Sequence, residues 1–401
     1  MSHETSERLS GVYCTVVAQN YLPQALALYS SVREVEPDRE LVVLVVDADR
    51  TDLATGRDRL TIVTTGILGL SDREIHNLAA IYDVVEFSTA VKPLFFKALL
   101  DEYQQVTYLD PDTFVVSPLT ELESLVEEHG VVLTPHFLES IPRDITHITE
   151  VHSLTVGVHN LGFGSFGQKG LPFLDWWWSH LERECLIYPL LGIFVDQKWT
   201  DIGATLFDAH SLRHYGYNVG PWNLHERSFT DHNGTLTVDA SGDELRLVHF
   251  SGFNPRDPDA ISVRLSLDMR EAGVAFPALT ELSRLYAERV HEAQGVLGSP
   301  PDYAFATDAD GGRISKRSRR TYRKALLAGE VPPSPFVASE VDAYRRWNLS
   351  AWRSRIGVAM GDAAMAAKYV FPDEFTAIKK SLPKQFSWVR ERLLTAARVR
   401  R

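Results

Sequence analysis

The sequence predicts an α/β fold: a mixed, mostly parallel sheet flanked by helices, followed by a basic helical extension. Three observations lead there: short runs that are apolar at nearly every position, helical periodicity between them, and a reversal of charge near residue 300. Val12 to Gln19 is the first strand, and Leu26, Leu28, Val32 and Val35 then recur at helical spacing. Leu41 to Val46 is the second strand, ending at Asp47-Ala48-Asp49, and Thr61 to Thr65 and Tyr82 to Phe87 are expected as two more. Phe95, Leu99, Leu100 and Tyr103 mark a helix, after which Val106 to Leu109 runs straight into Asp110. Val131 to Thr134 and Thr155 to Phe166 read as strands, and Phe173 to Leu186 as a helix. Short pieces with turn signals, such as His232-Asn233-Gly234 and Ser241-Gly242-Asp243, fill 205–250. A long helix covers Ala278 to Leu297 and breaks at Gly298-Ser299-Pro300-Pro301, which divides the chain into a main domain, 1–300, and an extension, 301–401.

The chain has 401 residues, 44% hydrophobic and 23% charged, an ordinary globular composition that excludes fibrous and disordered classes. No apolar run approaches the roughly 20 residues of a membrane span. The hydrophilic start and only two cysteines, Cys14 and Cys185, lead us to expect a cytoplasmic protein without a disulfide framework. Residues 1–300 hold 21 Lys/Arg against 43 Asp/Glu, and residues 301–401 hold 20 against 10. So acidic a body does not suit nucleic acid, whose backbone needs a positive track.

Parallel sheets bind ligands at the carboxyl ends of their strands, which here carry acids at 47, 49, 110 and 112. Asp110 and Asp112 are separated by one residue, a costly concentration of charge unless a cation sits between them. Oxygen ligands suit Mg²⁺ or Mn²⁺. His249, leaving the apolar Val248-His249-Phe250 and followed by Gly252, is a further candidate ligand. Asn160 and Gly162 interrupt an apolar strand, and Asp196-Gln197 follow another apolar stretch. Such amides and acids suit sugar hydroxyls, and they equally suit caps and turns.

The order of these elements resembles the retaining nucleotide-sugar glycosyltransferases of the GT-A, Rossmann-like fold, in particular family 8, typified by glycogenin and lipooligosaccharide galactosyltransferases. Tyr108-Leu109-Asp110-Pro111-Asp112 is similar to the family's metal motif, and Asn160 with Gly162 to its donor-sugar strand. Asp196-Gln197 corresponds to its acid–amide pair, Tyr217-Asn218 to its downstream turn, and His249 with Gly252 to its histidine–glycine element. The likeness spans about residues 11–255. It implies Asp110, Asp112 and His249 as ligands of Mn²⁺ or Mg²⁺, Asn160 and Asp196 on the donor sugar, and Gln197 nearest the reacting face. It also implies a nucleoside, expected to be that of UDP, over the end of the first strand near Ala18, Gln19, Tyr21 and Asp47. The family's diphosphate-holding lysine is replaced by Pro255, with Arg256 adjacent, and its arginine before the metal motif by Lys92 or Lys97. Trp222 and Asn223, with His225 and Arg227, are candidates on the acceptor or sugar side. The resemblance thus implies hexose transfer from a nucleotide sugar to a glycan, lipid-linked or other hydroxyl acceptor, with the departing phosphate taking the acceptor's proton.

Two other readings stand beside it. A carbohydrate-binding protein on an inactive scaffold would keep the fold without turnover. A HAD-type phosphohydrolase also pairs two aspartates one residue apart, but its motif comes near the first strand, and Gly242-Asp243 and Gly361-Asp362 lack the second acid that family needs. Consecutive helical residues point about 100° apart, so Trp176, Trp177 and Trp178 are expected mainly in the core. In the extension, Arg313 to Lys324 holds seven cations in twelve residues. Lys379 to Arg401 mixes cations with Phe386, Trp388, Val389, Leu393 and Leu394. Packing of this basic extension on the acidic body is favoured slightly over contact with an anionic membrane.

Overall fold

A computed structural model describes residues 8–145, 148–260, 262, 276–371, 373 and 377. The strands are β1 (Leu9–Val17), β2 (Leu41–Val45), β3 (Leu60–Thr64), β4 (Tyr103–Leu109), β5 (Thr113–Val115), β6 (Val131–Pro135), β7 (His159–Gly167), β8 (Ile187–Tyr188), β9 (Ile193–Phe194), β10 (His210–Ser211), β11 (Phe229–His232), β12 (Thr235–Val238) and β13 (Leu247–His249). Seven of them form the central sheet in the order β10-β6-β7-β4-β1-β2-β3. β3, β2, β1 and β4 are mutually parallel, and β7 runs against both β4 and β6. This is the expected mixed, mostly parallel sheet.

Helices α1 (Leu22–Val35), α2 (Asp72–Ile81), α3 (Val84–Ala90), α4 (Lys92–Leu100), α5 (Leu122–His129), α6 (Glu150–Val156), α7 (Leu171–Glu184) and α8 (Gln197–Leu206) surround it. Strand alternation feeds two cores. Val12, Cys14, Val16, Val42 and Leu44 pack with Leu78, Phe87, Phe95, Phe96 and Trp177 on one face. Tyr13, Val17, Leu41, Val43 and Val45 pack with Leu22, Leu26, Val32 and Leu122 on the other. Of the three tryptophans, Trp177 is fully buried, while Trp176 and Trp178 are half-buried against the same core.

Two expected strands differ. Tyr82 to Phe87 is not a strand, because Asp83 and Glu86 form a reciprocal capping box that starts α3 despite the β-branched Val84 and Val85. The strand expected from Thr155 starts only at His159, since α6 runs to Val156 and ends at Gly157, whose φ of 125° suits glycine. The helices Pro277–Leu297, Lys316–Leu327, Val341–Ser350 and Trp352–Val370 follow. Among the described residues no helix is long and apolar enough to cross a membrane.

The basic run at 313–324 divides its charges. Arg313, Lys316, Arg317 and Lys324 are exposed. Arg319 instead is buried, its guanidinium donating to the carbonyls of Ala79, Tyr82 and Phe305. Arg320 pairs with the buried Glu86 and donates to Ile81 O, and Arg323 donates to Arg183 O. Arg319 and Arg320 thus satisfy carbonyls at the end of α2, and Arg323 one at the end of α7, that no helical N–H can reach. Tyr303, Tyr322 and Tyr344 join the core that these contacts cover. The segment expected from Lys379 to Arg401 lies outside the described residues.

Candidate active site

Because β1, β2 and β4 are parallel, their carboxyl ends share one edge, and Asp47, Asp110 and Asp112 stand there. Asp110 follows β4 directly, its N–H donating to Gly162 O at 2.8 Å, and Thr113 closes the turn onto Asp110 O. β13 pairs antiparallel with β5, setting His249 opposite Thr113. A residue 137 positions after Asp112 is thereby brought beside it. His249 Nε2 lies 3.2 Å from Asp112 Oδ1 and 3.7 Å from Asp110 Oδ2, and one ligand atom from each residue falls within 4.8 Å of the others.

A buried amide chain sets which ring nitrogen faces the acids. Asn218 Nδ2 donates to Thr134 Oγ1 (2.8 Å), Asn160 Oδ1 (3.1 Å) and Asn160 O (3.3 Å), so its Oδ1 is the atom facing His249 Nδ1 at 3.0 Å. An acceptor there places a proton on Nδ1 and turns Nε2 toward Asp110 and Asp112. Asn218 holds this pose with a φ of 50°, which asparagine tolerates. Asn160 Oδ1 also accepts from Gly162 N at 2.9 Å, which turns its Nδ2 toward His136 Nε2 at 3.3 Å. His136 Nδ1 in turn meets Val158 O at 3.1 Å. Burial pushes the His136 pKa down to about 4, consistent with a neutral ring that accepts from Asn160. Gly162 leaves room for the imidazole: a Cβ there would lie 2.2 Å from His249 Cε1 and 2.3 Å from Nδ1.

Charge behind the acids is provided by Lys92. Its ammonium, 2% exposed, lies 2.8 Å from Asp196 Oδ2, 3.9 Å from Asp110 Oδ1 and 4.1 Å from the centre of the Tyr108 ring. Burial alone pulls the Lys92 pKa down, but Asp196 and Asp110 outweigh it and hold it above the ordinary value. Burial also raises the Asp196 carboxyl, opposed by Lys92. Tyr108 donates its hydroxyl to Asp110. The preceding Val195 sits at φ 41°, an unfavourable region for a β-branched residue, with its N–H bonded to Leu186 O. Gln197 is tied at both ends, accepting from Leu161 N (3.2 Å) and donating to Val156 O (3.0 Å).

Three carboxyl groups, those of Asp110, Asp112 and Asp196, thus gather around one ammonium and the His249 ring, an excess of acids over cations. Two carboxylates and an imidazole nitrogen converging in this way fit a divalent oxygen-seeking cation. Asp110, Asp112 and His249 are the residues that would hold it.

No family model matches this chain. A relative, the uncharacterized protein YfnF of Bacillus subtilis (strain 168), is 28% identical over 257 residues, which cover 61% of this chain and 82% of that protein. Among solved structures the chain is similar to the galactosyltransferase LgtC in complex with donor and acceptor sugar analogs, with 17% identity and a TM-score of 0.41, covering 72% of this chain and 97% of the other. It is also similar to the bifunctional glycosyltransferase WbbM, with 15% identity and a TM-score of 0.39. That match covers 64% of this chain, which spans about half (48%) of WbbM.

The remaining expected residues fall into three places. Asp47 accepts from Gln19 N (2.8 Å) and Ala304 N (2.9 Å), and Gln19 Nε2 donates to Asp302 O (3.0 Å). The extension is therefore fastened at the sheet edge, and burial raises the Asp47 carboxyl against those two bonds. Tyr21 is more exposed beside it. Trp222 sets its ring edge-on to His249 at 5.1 Å, and Asn223 braces the same turn by donating to His136 O and Asn218 O. His225 is buried beside Glu226, whose carboxylate accepts from Leu138 N, Glu139 N and Arg227. Arg227 also donates to Tyr217 O. Gly252 turns the chain after His249 with a φ of 70°, and Arg256 is exposed. Lys97 is not brought to the site: it pairs with Asp175 on α7. Thr134 and His136, which complete the amide chain, carry no sequence signal, because hydrogen-bond relays between distant strands have no spacing rule.

Proposed function

We propose that this chain is a divalent-metal-dependent glycosyltransferase that moves a hexose-type sugar from a nucleoside diphosphate, UDP by preference, to a hydroxyl acceptor. The observation that carries the reading is the meeting of Asp110, Asp112 and His249 Nε2, held by Asn218 and Asn160. A divalent cation bound there supplies positive charge to the leaving diphosphate, favouring the transition state over the ground state. Asn218 keeps His249 in the tautomer that can ligate, and Lys92 moderates the charge of Asp110 and Asp196. Asn160 and Asp196 hold the donor sugar, and Gln197 stands nearest the reacting face. Gln19, Tyr21 and Asp47 form the nucleoside side. Transfer occurs on one face with retention, the departing phosphate taking the acceptor's proton.

The test is UDP release from a panel of nucleotide sugars, with Mn²⁺, with Mg²⁺ and in EDTA. The expected result is release that EDTA stops and that Asp110→Asn or Asp112→Asn abolishes in a folded protein. Undiminished release in EDTA, or an active double variant, refutes the assignment. Saturable binding without turnover favours the inactive-scaffold reading instead.

A further inference from the structure

One helix of the extension keeps an apolar face toward solvent. Along Trp352–Val370, the side chains of Trp352, Ile356, Met360 and Val370 belong to residues 50%, 49%, 56% and 60% exposed. At about 100° per residue, Ile356 and Met360 stand about 40° and 80° round from Trp352, and Val370 returns to its line. Ala363 and Ala367 fall within that arc, so the stripe runs roughly 27 Å without a charged side chain. Scattered apolar residues need no explanation, but a row aligned on one helix face marks a contact surface. The one acid of this helix, Asp362, lies outside the arc and accepts the Tyr188 hydroxyl.

Cations border the stripe. Arg353 is exposed beside it, its guanidinium 5.3 Å from the centre of the Trp352 ring. A Cβ on Gly357 would lie 3.8 Å from Lys324 Nζ, which sets that ammonium along the same helix. Lys324 belongs to the helix Lys316–Leu327, which packs on this one and holds no acid in its 12 residues. The basic run therefore serves two directions. Arg319, Arg320 and Arg323 turn inward to backbone carbonyls, while Lys316, Arg317 and Lys324 stand exposed.

We propose that this two-helix face docks on an anionic lipid surface, with Trp352, Ile356 and Met360 entering the hydrocarbon boundary and the cations meeting the head groups. Charge decides the occupant. Residues 1–300 hold 21 Lys/Arg against 43 Asp/Glu, so an anionic surface repels the main domain and attracts this end. A nucleic acid would meet the cations but offer the stripe no apolar phase. A second copy of the chain would bring its own Arg353 and Lys324 to the same seam, like charge against like. An anionic bilayer satisfies both parts of the face, through buried apolar area and electrostatic attraction together. The inference is independent of the transferase reading.

The probes are vesicles of phosphatidylcholine alone and of equal parts phosphatidylcholine and phosphatidylglycerol, floated with the full chain. The expected result is flotation with the mixed vesicles, weakened by salt, and none with the neutral ones. Ile356→Ser/Met360→Ser, both exposed, should lower the partition onto mixed vesicles at least about tenfold while thermal melting is unchanged. Lys316→Gln/Lys324→Gln should lower it as well and flatten the salt dependence. A full chain that stays behind, equal flotation with neutral vesicles, or undiminished flotation of the Ile356→Ser/Met360→Ser protein overturns the inference. So does a dimer in sedimentation velocity that the same double substitution dissolves in a chain that ignores vesicles, since the occupant is then a second copy.

Discussion

Replacing Gly162 by alanine tests the metal site without touching a ligand. Its Cβ would stand 2.2 Å from His249 Cε1 and 2.3 Å from Nδ1, with Asn160 Oδ1 at 2.9 Å. Restoring an ordinary contact of about 3.5 Å requires the imidazole to retreat by about 1.3 Å. Metal–ligand distances tolerate only about 0.2 Å, so Nε2 then leaves the coordination sphere. We expect metal affinity to fall about a hundredfold, at the upper end of what disturbing an outer partner costs. Overpacking should cost about 1–3 kcal/mol of stability. Mn²⁺ titration by calorimetry measures the first quantity and urea unfolding the second. Gly164→Ala is the control on the same strand, where the added Cβ meets Phe166 at 3.0 Å and Leu133 at 3.5 Å, not His249. A Gly162→Ala protein with the metal titration of the unaltered chain would refute the geometry.

Lys92→Met should destabilise the fold by about 3 kcal/mol, because it leaves Asp196 buried and uncompensated. Adding Asp196→Asn should recover most of that loss in urea unfolding, and equal stabilities of the single and double variants would contradict it. The imidazole of His136 titrates near 6.5 when unfolded and about 4 when folded, so the unfolded chain takes the proton first. Stability from this group is complete above pH 6.5 and is lost as pH falls toward 4, about 2 kcal/mol of it by pH 5. Unfolding midpoints at pH 7.5 and 5 should show a smaller drop for His136→Gln than for the unaltered chain. Arg320→Gln removes the cation from the buried Glu86 and should speed proteolysis between residues 300 and 345; unchanged cleavage would show that the contact does not hold the extension.

The sheet was legible where side-chain alternation and apolar runs agree, as in β1 and β2, whose residues feed both cores. It was misread at Tyr82 to Phe87, where two valines suggested a strand and the Asp83–Glu86 box decided for a helix. The acids were visible because they end an apolar strand, and His249 because its motif came in the expected order. Lys97 illustrates what spacing alone settles: five residues from Lys92 on one helix, it points about 140° away and meets Asp175 instead. The relay through Thr134 and His136 could not be read, since each bond joins strands that only the fold brings together.

The buried arginines also constrain how the chain is made. The carbonyls at the end of α2 wait for guanidinium groups some 240 residues later, and Asp47 waits for an amide at 304. During synthesis the first layer of the sheet therefore emerges with one helix terminus bare and part of a core uncovered. Such distant closure is slow and leaves apolar surface open to aggregation. Emergence of residues 304–323, rather than completion of the sheet, is the step at which these contacts can close.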